Sequence, residues 1–471
     1  MGRLVVVSNR VAPVAEGKPA AGGLAVGVLD ALKRSGGLWF GWSGEVAEVP
    51  ALEPRLADRG GLTFATVDLA RADYDTYYAG FANGALWPTF HYRIGLARYD
   101  RQDYAGYQRV NRWLAARLMP LLRPDDTIWV HDYHLMHFAE ALREAGCRQR
   151  IGFFLHTPFP APQVLLTVPP HTGLMRAMCC HDLVGFQTDT DRQAFLDYVL
   201  RHAGGSIGAD GRLRAHGREL GVGTYPIGID PGEVRASALA NRRLARRLQD
   251  SLSGRRLILG VDRLDYSKGL AERFRAFGTL LERSPHHVRQ VSLVQIAPPS
   301  RSDVQSYRQI RRDLEAEAGR INGRFAEIDW TPIRYLNRSY ARASLMGLFE
   351  AADIGMVTPL RDGMNLVAKE YVAAQDPQDP GVLLLSCFAG AAQELGDGAV
   401  VVNPFDTTGM AEALDRALVM PLDERRQRHA AMMARLTTQT IARWRDRFLG
   451  DLAGGMAAAG HGDRLAAGAA P

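Results

Sequence analysis

What most restricts this chain is its rhythm: short runs rich in Val, Ile and Leu recur along it, separated by stretches with helical patterning. The runs fall at residues 4–8, 127–131, 151–156, 183–187, 257–261, 291–297, 354–359, 382–386 and 400–403. Strands that alternate with helices close into parallel sheets, so the expected fold class is α/β. Nine runs exceed what one doubly wound sheet needs, and the arginine- and alanine-rich residues 234–253 divide them into two sets. A boundary is therefore expected near residue 235, with domains at 1–235 and 236–435. A helical stretch at 422–452 follows, and the Ala/Gly-rich residues 453–471 are expected to be disordered because they have little to bury. Ligands of open α/β sheets sit beyond the carboxyl ends of the strands, so two facing sheets place a cleft between domains. Motifs at strand ends carry the functional reading.

Composition narrows the classes. The 471 residues, 46% of them apolar, suit an ordinary globular chain. No apolar run reaches the ~18 residues a membrane helix needs, and the amino terminus has no signal-peptide cleavage pattern. Cys147, Cys179, Cys180 and Cys387 have a spacing that fits neither a zinc knuckle nor a disulfide framework, so reduced thiols in the cytoplasm are expected. The formal charge of +6 is spread over dispersed arginines, which suits small anionic substrates and gives no basic block for nucleic acid. Of 57 basic residues only Lys18, Lys33, Lys268 and Lys369 are lysines. Two of these fall in motifs, where a compact ammonium differs in use from a planar guanidinium.

The first run leads into Ser8-Asn9-Arg10, and Gly22-Gly23 precede a predicted helix at 25–32. Paired glycines there serve either as a plain turn or as a close backbone approach to an anion. Arg263 and Lys268 stand in a loop between a strand and a helix predicted to begin at Gly269. Two cations beside a helix amino terminus make a diphosphate site; the bland alternative is a surface pair of Arg263 with Asp265. Asp362 lies in a loop and Glu370 two turns into the next helix, roughly 10 Å away along a helical rise. That gap suits gripping two ends of an extended ligand, and carboxylates hold sugar hydroxyls well. No local cation faces Glu370, since the adjacent Lys369 cannot. In the first half, His131-Asp132 and His156-Thr157 follow strands and point to the same cleft, with His134 and His137 read as structural. Asp189-Thr190-Asp191 reads as a helix cap. Neither a metal set nor a nucleophilic triad is apparent, and no cofactor is expected.

The stretches VVVSNR, AGGLAVG, GLWFGWSGE, LWPTFHYR, WVHDYHL, GFFLHTPFP, RLDYSKG, QIAPPSR, EAGRINGRF, TPLRDGMNLVAKEYVAAQ and FAGAAQEL resemble the retaining trehalose-6-phosphate synthases of glycosyltransferase family 20, over residues 4–449. The resemblance implies a GT-B fold: two facing Rossmann-like domains, the first binding the acceptor and the second the nucleotide sugar, with the active site between them and a helix at 436–452 packed back on the first. It implies transfer of glucose from UDP-glucose, or another NDP-glucose, to glucose 6-phosphate. Gly22, Gly23, Arg263, Lys268, Tyr340, Gly363, Met364, Asn365, Leu366, Val367, Ala368, Lys369 and Glu370 would hold the donor, and Asp362 its glucose. Arg10, Tyr78, Trp87, Asp132 and Arg301 would form the acceptor pocket. Arg263, Lys268, Asp362 and His156 would serve catalysis, and Trp87 and Thr157 anomer selectivity, Thr157 standing where many relatives carry an aliphatic residue. The leaving phosphate would deprotonate the acceptor on the same face, without a protein nucleophile or metal. A homo-oligomer, a separate phosphatase downstream and a role in osmotic stress are further implications. The alternatives are a glucosylglycerol-phosphate synthase and a non-catalytic sugar-phosphate sensor.

Overall fold

The computed structural model describes residues 2–11, 32, 36–300 and 305–455; Gly22, Gly23 and Arg301, together with the expected helix at 25–32 apart from Leu32, lie outside them. Among the described residues, sixteen strands form two sheets. The first contains β1 (Leu4–Arg10), β2 (Gly37–Ala47), β3 (Arg55–Arg59), β4 (Leu62–Ala70), β5 (Thr127–His131), β6 (Arg150–Phe154), β7 (Leu183–Phe186), β8 (Ser206–Ile207), β9 (Leu213–Ala215) and β10 (Arg218–Thr224). The second contains β11 (Arg256–Val261), β12 (Val291–Ile296), β13 (Ile333–Leu336), β14 (Ile354–Val357), β15 (Val382–Ser386) and β16 (Val400–Val402).

The first sheet runs β3-β4-β2-β1-β5-β6-β7-β10-β9-β8 and the second β13-β12-β11-β14-β15-β16. All pairings of the second sheet are parallel; antiparallel pairs appear only at the margins of the first, between β3 and β4 and among β8 to β10. Strand order reverses beside β1, between β2 and β5, and again between β11 and β14. Loops leaving these switch points diverge and open a crevice. The expected α/β class therefore holds, in the two-sheet form. The nine runs read from sequence missed β2, β3, β4, β8, β9, β10 and β13. β2 is the instructive case: its buried half, GLWFGW, is built from glycines and aromatics and lacks the β-branched run that signals a central strand.

The chain leaves the first sheet after Thr224. Asp230 caps the helix Pro231–Ala240 by accepting from the Glu233 amide at 2.9 Å, and this helix packs on the helices Arg342–Glu350 and Leu366–Ala374 of the second unit. Residue 235, near which the boundary was expected, lies inside that helix. The helical stretch at 422–452 is two helices, Leu422–Thr438 and Ile441–Gly450, broken where Thr440 accepts from the Arg443 amide at 3.3 Å. The second returns to the first sheet: the Phe448 ring stacks on Trp129 with centroids 4.9 Å apart. Gly152 and Gly185 make room for it, since a Cβ at either would lie 2.7 Å from Phe448. Burial of a Phe side chain contributes about 2–3 kcal/mol, enough to fasten the returning helix. All four cysteines are free thiols, and no helix among the described residues is long and apolar enough to cross a membrane.

Candidate active site

The second-sheet half of the cleft is built on a buried clamp. Arg273 is fully buried and donates to Asp262 at 2.9 Å, Gln295 at 2.7 Å and Thr358 at 3.2 Å, tying together the ends of β11, β12 and β14. Gly269 has φ +65°, and a Cβ there would meet the Thr358 carbonyl oxygen at 2.3 Å, so the two switch-point loops touch through backbone. The Leu360 amide also donates to the Ser267 carbonyl at 2.8 Å. Between Arg263 and Lys268, Asp265 is fully buried: it accepts from the Ser267 amide and hydroxyl at 2.9 Å each and from the Tyr307 hydroxyl at 2.8 Å. The surface pairing considered for Asp265 is therefore wrong, and its carboxylate shapes the loop instead. The helix that follows starts at Leu270, after a 3₁₀ turn at Tyr266–Lys268, and Gly269 is its cap.

That loop delivers Lys268 to Asp362, Nζ to Oδ2 at 2.5 Å, while Asn365 donates to the same oxygen at 2.9 Å. Burial raises the affinity of Asp362 for a proton, but the Lys268 charge and hydrogen bond, with His91 and Asn365, outweigh it and hold the carboxyl below its usual range. Asn365, at φ +79°, caps the helix Leu366–Ala374, its side chain accepting from the Ala368 amide at 3.3 Å. The helix amino terminus, with its unpaired backbone N–H groups, is thus aimed at the same loop. Gly363, Met364 and Leu366 lie here, and Val367, Ala368, Lys369 and Glu370 continue along the helix.

Two residues of this run differ from expectation. Glu370 has a cation after all: Arg342, from a preceding helix, contacts it at 2.9 and 3.0 Å. Burial pushes the Glu370 carboxyl upward, opposed by Arg342 and reinforced by Glu233. The Lys369 ammonium is fully buried, donating to the Ile227 carbonyl at 2.7 Å and to Glu394. Its side chain fastens the helix to the crossover, which leaves only its backbone for a ligand. Tyr340 is half-buried with the Arg338 guanidinium over its ring at 5.0 Å.

The first-sheet half is assembled differently. Arg10 leaves β1 with its guanidinium 5.9 Å from the Trp42 ring and lies against Gly44, whose Cβ would come within 2.5 Å of it. Tyr78 packs on Trp42 at 5.4 Å and stacks on His134 at 5.8 Å with an interplanar angle of 10°. Asp132 has φ +77° and ψ 164°, a conformation that costs a non-glycine residue about 1–3 kcal/mol. It is held there because its amide donates to Phe154 O at 2.9 Å and its carboxylate accepts from the His156 amide at 3.2 Å. His156 Nε2 lies 3.0 Å from His131 Nδ1, so one ring donates to the other. Burial pushes His156 down to about 3 and, with His156 beside it, His131 well below its ordinary value; both rings are neutral near pH 7. The Thr157 hydroxyl is buried without a hydrogen-bond partner among the described residues.

The halves meet closely. A Cβ on Gly363 would lie 2.1 Å from the His156 carbonyl oxygen, and one on Gly390 would lie 1.9 Å from Gly363 O, so only glycine allows this approach. Trp87 Nε1 donates to Asp265 at 3.4 Å, and the Arg263 guanidinium lies 5.6 Å from the Trp87 ring. Arg361 sits 3.8 Å over the Tyr92 ring. His91, whose Nδ1 is 2.8 Å from the Trp87 carbonyl, is pushed down to about 4 mainly by burial, against the pull of Asp265, the Trp87 carbonyl and Asp362. The structure thus brings Arg263, Lys268, Asp362, Gly363, Asn365, Trp87, Asp132, His156 and Thr157 to one junction, with Arg10 and Tyr78 on the adjoining shelf. Sequence reasoning gave no role to His91, Arg273, Tyr307 or Arg342, and gave Asp265 only the rejected surface pairing. Only the LWPTFHYR and RLDYSKG runs, which contain His91 and Asp265, carried any signal for them. The Asp189-Thr190-Asp191 cap is made by Thr188, which accepts from the Asp191 amide at 3.1 Å, while Asp191 accepts from the Phe159 amide at 2.9 Å.

Chemically, a helix amino terminus, a buried lysine and an exposed arginine with no ion pair among the described residues form a seat for a diphosphate. The adjoining Asp362, Asp132 and histidines offer hydrogen bonds to hydroxyls. The sequence pattern of glycosyltransferase family 20 matches residues 4–454. A trehalose-6-phosphate synthase from Enterobacter sp. (strain 638) is 52% identical over 454 residues, covering 96% of this chain and 95% of that protein. A UDP-forming alpha,alpha-trehalose-phosphate synthase from Burkholderia xenovorans, solved in complex with glucose-6-phosphate, superposes with a TM-score of 0.92 at 59% identity, covering 96% of this chain and all of the other. The E. coli protein solved with UDP-2-fluoro glucose gives 0.92 at 50% identity, covering 96% and 99%.

Proposed function

The chain belongs to glycosyltransferase family 20, and from that premise we propose that it transfers glucose from UDP-glucose to glucose 6-phosphate with retention, giving trehalose 6-phosphate and UDP. The observation that carries this reading is the waiting anion seat: Arg263, held by Trp87 and free of ion pairs among the described residues, beside Lys268 and the amino terminus of helix Leu366–Ala374. A nucleoside diphosphate leaving group gathers negative charge as its bond to the sugar breaks. Donors fixed beforehand around that charge stabilise the transition state more than the ground state.

Asp362, kept ionised and oriented by Lys268 and Asn365, accepts from hydroxyls of the transferred glucose, and Glu370 takes the donor ribose. Glu370 must then share its carboxylate with Arg342, and Arg342 fixes its rotamer. Gly22 and Gly23 add backbone contacts to the donor, and Tyr340 borders its base. Across the junction, Arg10, Tyr78 and Arg301 hold the acceptor phosphate, and Asp132 and Trp87 orient its sugar. His156 and Thr157 border the transferred glucose. A desolvated His156, pushed down to about 3, is a hydrogen-bonding group and a poor base, so the proton of the attacking hydroxyl passes to the departing phosphate on the same face. Orientation and charge stabilisation then carry the rate. No metal or cofactor enters this scheme.

The same reading places the enzyme in the cytoplasm as a homo-oligomer, consistent with four free cysteines. A separate phosphatase would consume its product, and trehalose made this way would serve under osmotic stress. Incubation of purified protein with UDP-, GDP- or ADP-glucose plus glucose 6-phosphate or glycerol 3-phosphate, with NDP release as readout, tests the proposal. UDP release that requires glucose 6-phosphate is expected. Faster release with glycerol 3-phosphate would move the acceptor assignment to the glucosylglycerol-phosphate reading, and no release with any pair would leave a sensor.

A further inference from the structure

The helix Leu270–Arg283 begins beside the cleft and, at a rise of about 1.5 Å for each of its 14 residues, ends roughly 20 Å away. There the chain turns through Pro285–His287, against the helix Thr407–Leu418. We propose that His286, His287 and Asp415 form a binding site for a divalent transition-metal ion of the Zn²⁺ class, distinct from the transfer site and unneeded for its chemistry.

Two imidazole nitrogens converge on one carboxylate oxygen. His287 Nε2 lies 2.8 Å and His286 Nε2 3.6 Å from Asp415 Oδ1, and the three ligand atoms all lie within 4.8 Å of one another. At 3.6 Å the His286 contact is too long for a hydrogen bond. Its side chain is 65% exposed yet turned onto the carboxylate, with its ring centroid 4.1 Å from that of His287, although open solvent would satisfy it. A tetrahedral ion bonded to N and O ligands at 2.0–2.2 Å holds those atoms roughly 3.3–3.5 Å apart, and the two measured separations bracket that value. Small rotations of side chains alone would seat the ion.

The donor set also selects the ion. Two neutral imidazoles with one carboxylate suit Zn²⁺, Co²⁺, Ni²⁺ or Cu²⁺, whereas Mg²⁺ and Ca²⁺ take oxygen ligands. Three protein ligands leave a fourth position, and a hollow of about 330 Å³ beside Asp415, lined also by Ser284, Arg283, Glu412 and Arg416, gives water access to it. Arg283 is neutralised by Glu412 at 3.1 Å, which limits its repulsion of a cation. A bound ion would staple the turn after one helix to its neighbouring helix, so its effect is on the stability of the second domain.

Tag-free, chelator-stripped full-length protein titrated with ZnCl₂ by calorimetry, with melting temperature in parallel, tests this. The proposal expects one Zn²⁺ per chain, a rise in melting temperature by mass action, and Kd weakened by at least about tenfold in His286→Gln and in Asp415→Asn, since even outer partners of metal ligands are worth that much. Because His286 is exposed, His286→Gln cannot fail merely by unfolding, and its turnover should equal the parent's. Absence of stoichiometric binding, parent-like binding by His286→Gln, or loss of binding in Cys387→Ser, which removes the exposed thiol, would each overturn the assignment.

Discussion

The two walls of the cleft are organised by different physical means. The second-sheet wall is charge-paired and buried in advance: Arg273 with Asp262, Lys268 with Asp362, Lys369 with Glu394, Arg342 with Glu370. The first-sheet wall relies on an aromatic shelf of Trp42, Tyr78 and His134 under Arg10, and on a strained backbone at Asp132. A preorganised wall lowers the reorganisation needed when leaving-group charge appears. A softer aromatic wall suits positioning an acceptor whose own charge does not change. On the proposed assignment of donor and acceptor, this contrast makes the second-sheet wall the seat of rate and the first-sheet wall the seat of orientation.

The largest effect that would break the contrast lies in the clamp. Arg273→Leu leaves Asp262 buried without its cation and should destabilise the protein by about 3–5 kcal/mol, measured by urea unfolding. A loss below 1 kcal/mol would mean the donor wall is not held by that pair. Next is the junction itself. Gly363→Ala places a methyl group on the His156 carbonyl and should cost about 1–3 kcal/mol by overpacking, appearing as a fall in kcat/KM at nearly unchanged melting temperature if the walls separate to relieve it. Parent-like kinetics would show that the close approach is not needed for transfer. The smallest effect concerns Thr157. Thr157→Val removes a buried, unpartnered hydroxyl and should stabilise the free enzyme by about 1 kcal/mol; a simultaneous rise in KM for either substrate would show that the hydroxyl serves a ligand, and unchanged KM that it does not.

What the sequence disclosed follows from how local each signal is. The parallel strands, Arg263, Lys268, Asp362 and His156 were legible because a strand, a loop and a helix amino terminus lie within a few residues. β2 stayed hidden because glycines interrupt its buried half, GLWFGW, which is held by Leu and aromatics and has no β-branched run. Asp265 was misplaced because its partners Tyr307 and Trp87 lie 42 and 178 residues away. Glu370 looked unpartnered because Arg342 is 28 residues upstream, beyond any helical spacing rule. Lys369 stood out as one of four lysines, and its ammonium proves to hold the helix to the crossover at Ile227.

The central claim, that charge stabilisation by the donor wall carries the rate, is tested most directly by Arg263→Ala assayed for UDP release at saturating UDP-glucose and glucose 6-phosphate. A fall in kcat of about a hundredfold or more is predicted, the size expected for removing one preorganised electrostatic donor; a variant that folds and turns over near the parent rate would contradict it.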